Sequence, residues 1–184
     1  KEEYILYVGG NDYRKYVTEL IGYFEKIKQK SNMKDLKLVL VGNDFQQSSK
    51  RFNLRFWEKH EKSPVKDAII MMGYVENNTL AALYRDCSVL AFPSQYEGFG
   101  MPVLEAMQAG APVVAFSNSS LPEVAGDAAL LAKNEHEYIK FLESLITNKA
   151  LARKLTIRGH AQAKKFTWKK TADLTVQAIR EVFG

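Results

Sequence analysis

Two carboxylates with seven residues between them, Glu97 and Glu105, stand in Pro93-Ser-Gln-Tyr-Glu-Gly-Phe-Gly-Met-Pro-Val-Leu-Glu-Ala-Met-Gln-Ala-Gly110, where this chain concentrates its chemistry. Gly98 and Gly100 followed by Pro102 give a backbone what it needs to turn tightly out of a strand and straight into a helix. Glu97 then lies in the loop and Glu105 about one turn inside the helix, roughly 4.5 Å along its axis from Pro102 at about 1.5 Å per residue. Both carboxylates can face one ligand. The helix beginning at Met101 presents free N–H groups and its positive dipole end to an anion. A carboxylate accepts hydrogen bonds from neighbouring hydroxyls, so the pair suits vicinal diols such as those of a sugar and a ribose. A glycosidase-type acid and nucleophile pair is the competing chemistry, and it needs a carboxyl separation that sequence spacing does not supply.

Two further stretches carry polar or aromatic groups next to glycines. Gly9 and Gly10 offer backbone N–H groups ahead of Arg14 and Lys15, and together these can hold a pyrophosphate. The stretch has neither the Gly-Lys-Ser/Thr of a P-loop nor the Gly-x-Gly-x-x-Gly dinucleotide fingerprint, and Arg14 and Lys15 as plain surface charge explain it equally well. Gly73-Tyr74-Val75 can press backbone and ring against a planar base; a buried tyrosine with no ligand is the simpler reading.

These stretches need elements to position them. Tyr4 to Val8, Leu36 to Val41, Ala68 to Met72, Val89 to Phe92, Pro112 to Phe116 and Ala128 to Leu131 are short apolar runs, nearly all ending in Gly or Pro, as buried parallel strands do. Between them lie helical patterns. Val17, Leu20, Ile21, Phe24 and Ile27 recur at steps of three and four from Tyr16 to Lys30. Ser48 to His60 is read as a helix with Phe52, Phe56 and Leu54 or Trp57 on one face. Asn77 or Asn78 is read as the cap of a helix carrying Leu80, Leu83 and Tyr84. Met101 to Ala109 ends at Gly110, and Leu121 to Val124 is a short helix begun by Pro122. Glu135 to Lys165 is helical with a break near Asn148, and Thr167 caps a last helix through Val182. Strands alternating with amphipathic helices predict an α/β fold: a Rossmann-like, doubly wound parallel sheet of about six strands with helices on both faces, in a single domain over 1–184. Ligands of such sheets bind beyond the carboxyl ends of the strands, where every stretch singled out above falls.

The chain has 184 residues, 46% of them hydrophobic, which is enough for one well-buried domain. Its net charge of +5 is spread over many helices; it suits an anionic small ligand or an acidic membrane surface, and a solvated lysine face is the simpler account. Aromatic and basic residues are not interleaved in an RNA-reading pattern, so no nucleic-acid partner is expected. Cys87 is the only cysteine, which excludes an internal disulfide, and the apolar run after it points to a buried structural thiol. His60, His136 and His160 have no metal-ligand spacing and read as solvated surface. No transmembrane run, signal peptide or lipidation motif is present. A strand that starts almost at residue 1 points to a segment cut from a longer chain.

Glu97-Gly-Phe-Gly-Met-Pro-Val-Leu-Glu105-Ala-Met resembles the E-x7-E motif of the retaining GT-B glycosyltransferases of family 4, the glycosyl transferases group 1. The resemblance extends through Tyr7-Val-Gly-Gly, Arg14-Lys15, Gly73-Tyr-Val, Leu80 to Tyr84, Phe92-Pro-Ser94, Ala109-Gly-Ala-Pro-Val113, Leu121-Pro-Glu123 and Gly126-Asp127, in the family's order and spacing. It implies the C-terminal, donor-binding half of a two-domain enzyme, with an N-terminal acceptor-binding domain of the same polypeptide as partner. It implies that Glu97 holds the donor sugar's hydroxyls and Glu105 the ribose, and that Gly98, Phe99, Gly100 and Met101 approach sugar and phosphates through backbone. Arg14 and Lys15 would neutralise the pyrophosphate as it leaves, with Glu97 the other group in the catalytic set. Gly9, Gly10, Gly73, Tyr74, Val75 and Ser94 complete the implied donor site.

The donor would be a nucleotide sugar, GDP- or UDP-linked, bound without a metal or other cofactor. The placement of Arg14 and Lys15 resembles mannosyltransferase-like members, which favours GDP-mannose. The implied setting is the cytoplasm, with peripheral contact to the inner membrane face or a lipid-linked glycan. Tyr16 departs from the pattern: relatives that resemble this chain often carry Asn after the Arg-Lys pair. A non-catalytic nucleotide- or polysaccharide-binding module is the alternative function, and an oxidoreductase lacks its glycine fingerprint.

Overall fold

Val and Leu alternate their faces along a strand, so the apolar runs of this chain bury both sides of one sheet. A computed structural model, describing residues 2–183, forms that sheet from β1 (Tyr4–Val8), β2 (Lys37–Val41), β3 (Ile69–Gly73), β4 (Val89–Phe92), β5 (Val113–Phe116) and β6 (Leu130–Ala132). All neighbours are parallel and the order is β3-β2-β1-β4-β5-β6. The expected doubly wound sheet is therefore present, with strand boundaries within two residues of those expected.

The helices are α1 (Val17–Lys28), α2 (Leu54–Lys62), α3 (Asn77–Asp86), α4 (Met101–Ala109), α5 (Leu121–Ala125), α6 (Glu135–Thr147), α7 (Lys149–Ala163) and α8 (Trp168–Phe183). Ile5, Tyr7, Leu38 and Leu40 point to one face, where α1, α2 and α6 pack with Leu20, Phe24, Phe56 and Leu142. Leu6, Val39, Leu90 and Phe92 point to the other, where α3, α4 and α5 pack with Tyr84, Val103, Met107 and Val124. Each fully buried Leu or Phe contributes about 1.5–3 kcal/mol, so two such layers hold the strand ends in fixed register. Cys87 is buried, as expected.

Three local expectations are corrected. The Ser48 to His60 segment is a short 3₁₀ helix, Gln47–Phe52, followed by α2; Phe56 and Trp57 are buried while Phe52 is 72% exposed, because the break at Asn53 turns the two pieces' faces apart. The N-cap of α3 is Glu76, whose C=O accepts the Leu80 N–H without help from either Asn side chain. His60 is not simply solvated: it stacks on Phe56, its Nδ1 is buried, and desolvation holds its imidazole below the usual range. By contrast Asn148 breaks the long helical stretch as expected, ending α6 and capping α7 through the Leu151 N–H, and Thr167 accepts the Lys170 N–H at the start of α8. None of the described side chains of α8 is buried.

Candidate functional site

In a doubly wound sheet the strand order reverses at one point, and loops leaving the two strands there diverge to open a crevice. Here that point lies between β1 and β4. The loop after β1 leads to α1 on one face and the loop after β4 to α4 on the other, so residues 9–15 and 93–100 border the crevice from its two sides. Gln95 N–H donates to Arg14 C=O at 2.7 Å, joining the two loops by backbone.

Across the crevice, Lys15 Nζ donates to Glu97 Oε1 at 2.6 Å, with the side chains 25% and 11% exposed. The same ammonium lies 5.8 Å from the centre of the Phe92 ring at the end of β4. Arg14 does not join them. Its guanidinium is held at both ends by Asp12, at 2.8 Å to Oδ1 and 3.2 Å to Oδ2, and the side-chain hydrogen bond from Arg14 keeps the Asp12 carboxyl below its usual range. Lys15 is thus aimed at the carboxylate expected to hold the sugar, and Arg14 is parked beside it on an acid that the sequence reading passed over.

The first glycine loop is shaped by close backbone contact. A Cβ on Gly42, after β2, would fall 2.0 Å from the Gly9 carbonyl oxygen, so only glycine lets β1 and β2 end side by side. Tyr7 donates its O–H to Gly10 C=O at 2.6 Å, and Asp44 Oδ2 accepts the Asn11 N–H at 2.6 Å. Burial, and next the charge of Glu97, pushes the Tyr7 phenol well above its usual range, which keeps it a donor.

The second glycine loop is buttoned down from β5. Ser119 Oγ accepts the Glu97 N–H at 3.0 Å, and the Ser120 hydroxyl lies 3.0 Å from Glu97 C=O and 2.9 Å from Phe99 C=O, with both carbonyls accepting. Asn118 Nδ2 donates to Ser94 C=O at 3.2 Å. Gly100 caps α4 at φ +99°, and a Cβ there would come 2.7 Å from Leu121 Cδ2. Pro102 has no N–H and Val103 N–H donates to Gly100 C=O, which leaves Met101 N–H as the donor at this helix end. Nothing lies within 4 Å of a Cβ built on Gly98, so the backbone there is open to a ligand. Phe99 is turned aside with its ring edge-to-face on Phe166, 5.7 Å between centroids. Ser94 is fully buried beneath the loop, and among the described residues its Oγ has no hydrogen-bond partner.

Glu105, one turn into α4, accepts the Tyr84 O–H through Oε2 at 2.9 Å. At the end of β3, Gly73 takes φ +64° with the Gln46 side chain against it, and Tyr74 is 68% exposed, not the buried tyrosine of the simpler reading. Val75 packs on the core below. The structure thus brings Lys15, Glu97 and the glycine loops to one crevice, holds Glu105 from below, and leaves Tyr74 exposed after β3, the edge strand separated from β1 by β2. Sequence reasoning missed Asp12, which caps its own loop through Arg14, and Asp44, Ser119 and Ser120, whose partners lie across loops; only the run of serines after β5 marks that segment in advance. Among the described residues no group of three or more His, Cys, Asp or Glu side chains is placed to hold a metal ion, and no helix is long and apolar enough to cross a membrane.

Residues 1–162 match the family described as Glycosyl transferases group 1. The chain belongs to that family. It is 34% identical over 180 residues, 96% of its length, to the O-antigen chain mannosyltransferase B of Escherichia coli, and spans 45% of that protein. It is 32% identical over 126 residues to the MMP alpha-(1->4)-mannosyltransferase of Mycolicibacterium hassiacum, covering 65% of this chain and 31% of that one. Its fold superposes on sucrose-phosphate synthase from Thermosynechococcus elongatus with a TM-score of 0.83 at 27% identity, over 100% of this chain and 46% of that one. It also superposes on a C-terminal domain of a glycosyl transferase group 1 protein from Francisella tularensis, with a TM-score of 0.72 at 24% identity, over 88% and 85% of the two chains. The GT-B-type sheet expected of this group 1 glycosyltransferase chain is present, and the crevice at β1 and β4 is where its E-x7-E stretch lies.

Proposed function

We propose that this chain is the nucleotide-sugar-binding domain of a retaining hexosyltransferase that completes its cleft with an N-terminal acceptor domain of the same polypeptide. The observation that carries the reading is the Lys15–Glu97 contact at the strand-order reversal. It sets a fixed cation beside a carboxylate in a crevice bordered by two glycine loops, the charge pattern a sugar diphosphate requires.

In this reading Glu97 accepts the donor sugar's hydroxyls and Glu105 the ribose hydroxyls, while Gly73, Tyr74 and Val75 border the base. Gly9, Gly10, Gly98, Gly100 and the Met101 N–H line the path of the diphosphate. Lys15, and Arg14 once released from Asp12, neutralise the charge that grows on the diphosphate as the glycosidic bond to it breaks, which is where fixed cations lower a barrier most. The acceptor hydroxyl attacks the anomeric carbon from the face the diphosphate leaves and gives its proton to the departing diphosphate oxygen, so configuration is retained. Phe99 and Ser94 shape the loop from outside and beneath.

Mannose is the favoured sugar, because mannosyltransferases stand among the relatives. The O-antigen relative supports a glycan or lipid-linked acceptor met at the cytoplasmic face of the membrane. A partner domain is supported by the share of that relative the chain spans and by the exposed Leu174, Ile179 and Val182 on α8. Thermal unfolding against a panel of GDP- and UDP-sugars tests the proposal, since a ligand that binds only the folded chain raises its midpoint. GDP-mannose is expected to raise it most; no shift with any nucleotide sugar would refute the reading.

A further inference from the structure

Glu105 is one turn inside a helix, and a glutamate there has three side-chain torsions to fix before it can select a ligand's hydroxyls. In this chain a single contact does so. Tyr84 lies on α3, with its side chain buried in the core layer shared with α4, and its O–H reaches Glu105 Oε2 at 2.9 Å. The direction follows from helix geometry: α3 and α4 both start at the ligand edge, and a long helical side chain leans toward its own N-terminus, so Tyr84 reaches up from the core toward the carboxylate. Among the described residues Glu105 Oε1 has no hydrogen-bond partner, so one oxygen is tied and the other left for a ligand.

We infer that Tyr84 is a positioning residue for ribose recognition: it holds one carboxylate oxygen of Glu105 so that the other is presented to the hydroxyls of the bound nucleoside. The inference rests on the assignment of Glu105 to the ribose. Burial first, then the nearby Glu105 charge, keeps the Tyr84 phenol far above its ordinary range, so it remains a donor at every working pH and never competes as an anion. The same helix follows directly on Gly73-Tyr74-Val75, so a shift of α3 moves the base border and the carboxylate tether together.

The test compares affinities of GDP and 2′,3′-dideoxy-GDP, with UDP and its dideoxy analogue in parallel, for the wild-type chain, Glu105→Ala and Tyr84→Phe. Wild type is expected to prefer the ribonucleotide by about tenfold or more, the scale of hydrogen bonds to a charged group. Glu105→Ala is expected to lose that preference, and Tyr84→Phe to cut it at least about threefold while affinity for the dideoxy nucleotide stays put. A Tyr84→Phe chain with the full wild-type preference overturns the inference and leaves the ribose assignment standing. A Glu105→Ala chain that keeps the preference, or wild type binding neither ribonucleotide, overturns both. Should Tyr84→Phe fail to fold, 4-fluorophenylalanine at position 84 fills nearly the same volume without a donor; an unmoved preference then overturns the inference.

Discussion

Lys15 and Glu97, 82 positions apart in the chain, meet at 2.6 Å across the crevice where the strand order reverses. Each arrives there on its own strand end, Lys15 after β1 and Glu97 after β4, and the Arg14–Gln95 backbone hydrogen bond keeps the two loops together. A sugar diphosphate entering this crevice would take both groups at once, its phosphates drawing on the ammonium and its sugar on the carboxylate. Pairing before the donor arrives keeps either charge from standing alone in a half-buried place.

Arg14 is the group with a competitor. Asp12 holds both ends of its guanidinium, at 2.8 and 3.2 Å, and adds negative charge beside the expected phosphate path. Asp12→Asn keeps an acceptor for the Arg14 N–H and removes that charge. GDP affinity is expected to rise several-fold, with a steeper dependence on ionic strength, measured by calorimetry at two salt concentrations.

Ser120 ties down the loop that carries Glu97 through the Glu97 and Phe99 carbonyls. Ser120→Ala is expected to lower unfolding free energy by about 1 kcal/mol in urea, the scale of one hydrogen bond. Transferase activity of the full-length enzyme is expected to fall further than that loss explains, because the loop that aims Glu97 loosens. Equal, small losses in both would contradict a positioning role for the serine.

Tyr16 sits at φ 54°, ψ 27°, the left-handed conformation, between the Arg14-Lys15 pair and α1. Asn, which the family resemblance leads one to expect here, would suit the place better: short amides tolerate the left-handed region, and a bulky residue is strained there. Tyr16→Asn is expected to stabilise the chain by about 1 kcal/mol in chemical denaturation; destabilisation would show that the Tyr16 ring contributes packing that outweighs the strain.

Much of the architecture was legible in the sequence, because burial on both faces writes itself as short apolar runs and glycines mark where strands stop. Tyr4–Val8 and Val89–Phe92 fall on the expected residues, and Asn148 divides two helices as its type requires. What stayed hidden was pairing between side chains distant in sequence. Nothing in the local pattern says that Lys15 turns to Glu97, 82 positions on, or that Tyr84 ends on Glu105. The misreading around Phe52 has the same origin: a helical period continues through Asn53, yet the backbone there leaves helical geometry at φ −132°, ψ 46° and the two faces part.

His60 gives the fold a pH dependence of definite sign. Desolvation lowers its folded-state affinity for protons below that of the unfolded chain, so the unfolded state takes up the proton first as pH falls. Its contribution is fully present above the ordinary imidazole range and is lost as pH drops from about 7 through the depressed folded value. His60→Gln is expected to flatten the fall in thermal midpoint between about pH 7 and pH 5.5; an unchanged slope would assign it to other groups.

On the proposed reading, the crevice between β1 and β4 holds a sugar diphosphate through the cations of its first loop. Calorimetric titration of GDP-mannose into the wild-type chain and into the Arg14→Ala, Lys15→Ala double variant addresses it directly. Loss of two charge-assisted contacts to phosphate is expected to weaken binding by about a hundredfold or more, measured at a temperature where both chains are folded. Equal affinity of the two chains for GDP-mannose would contradict the account.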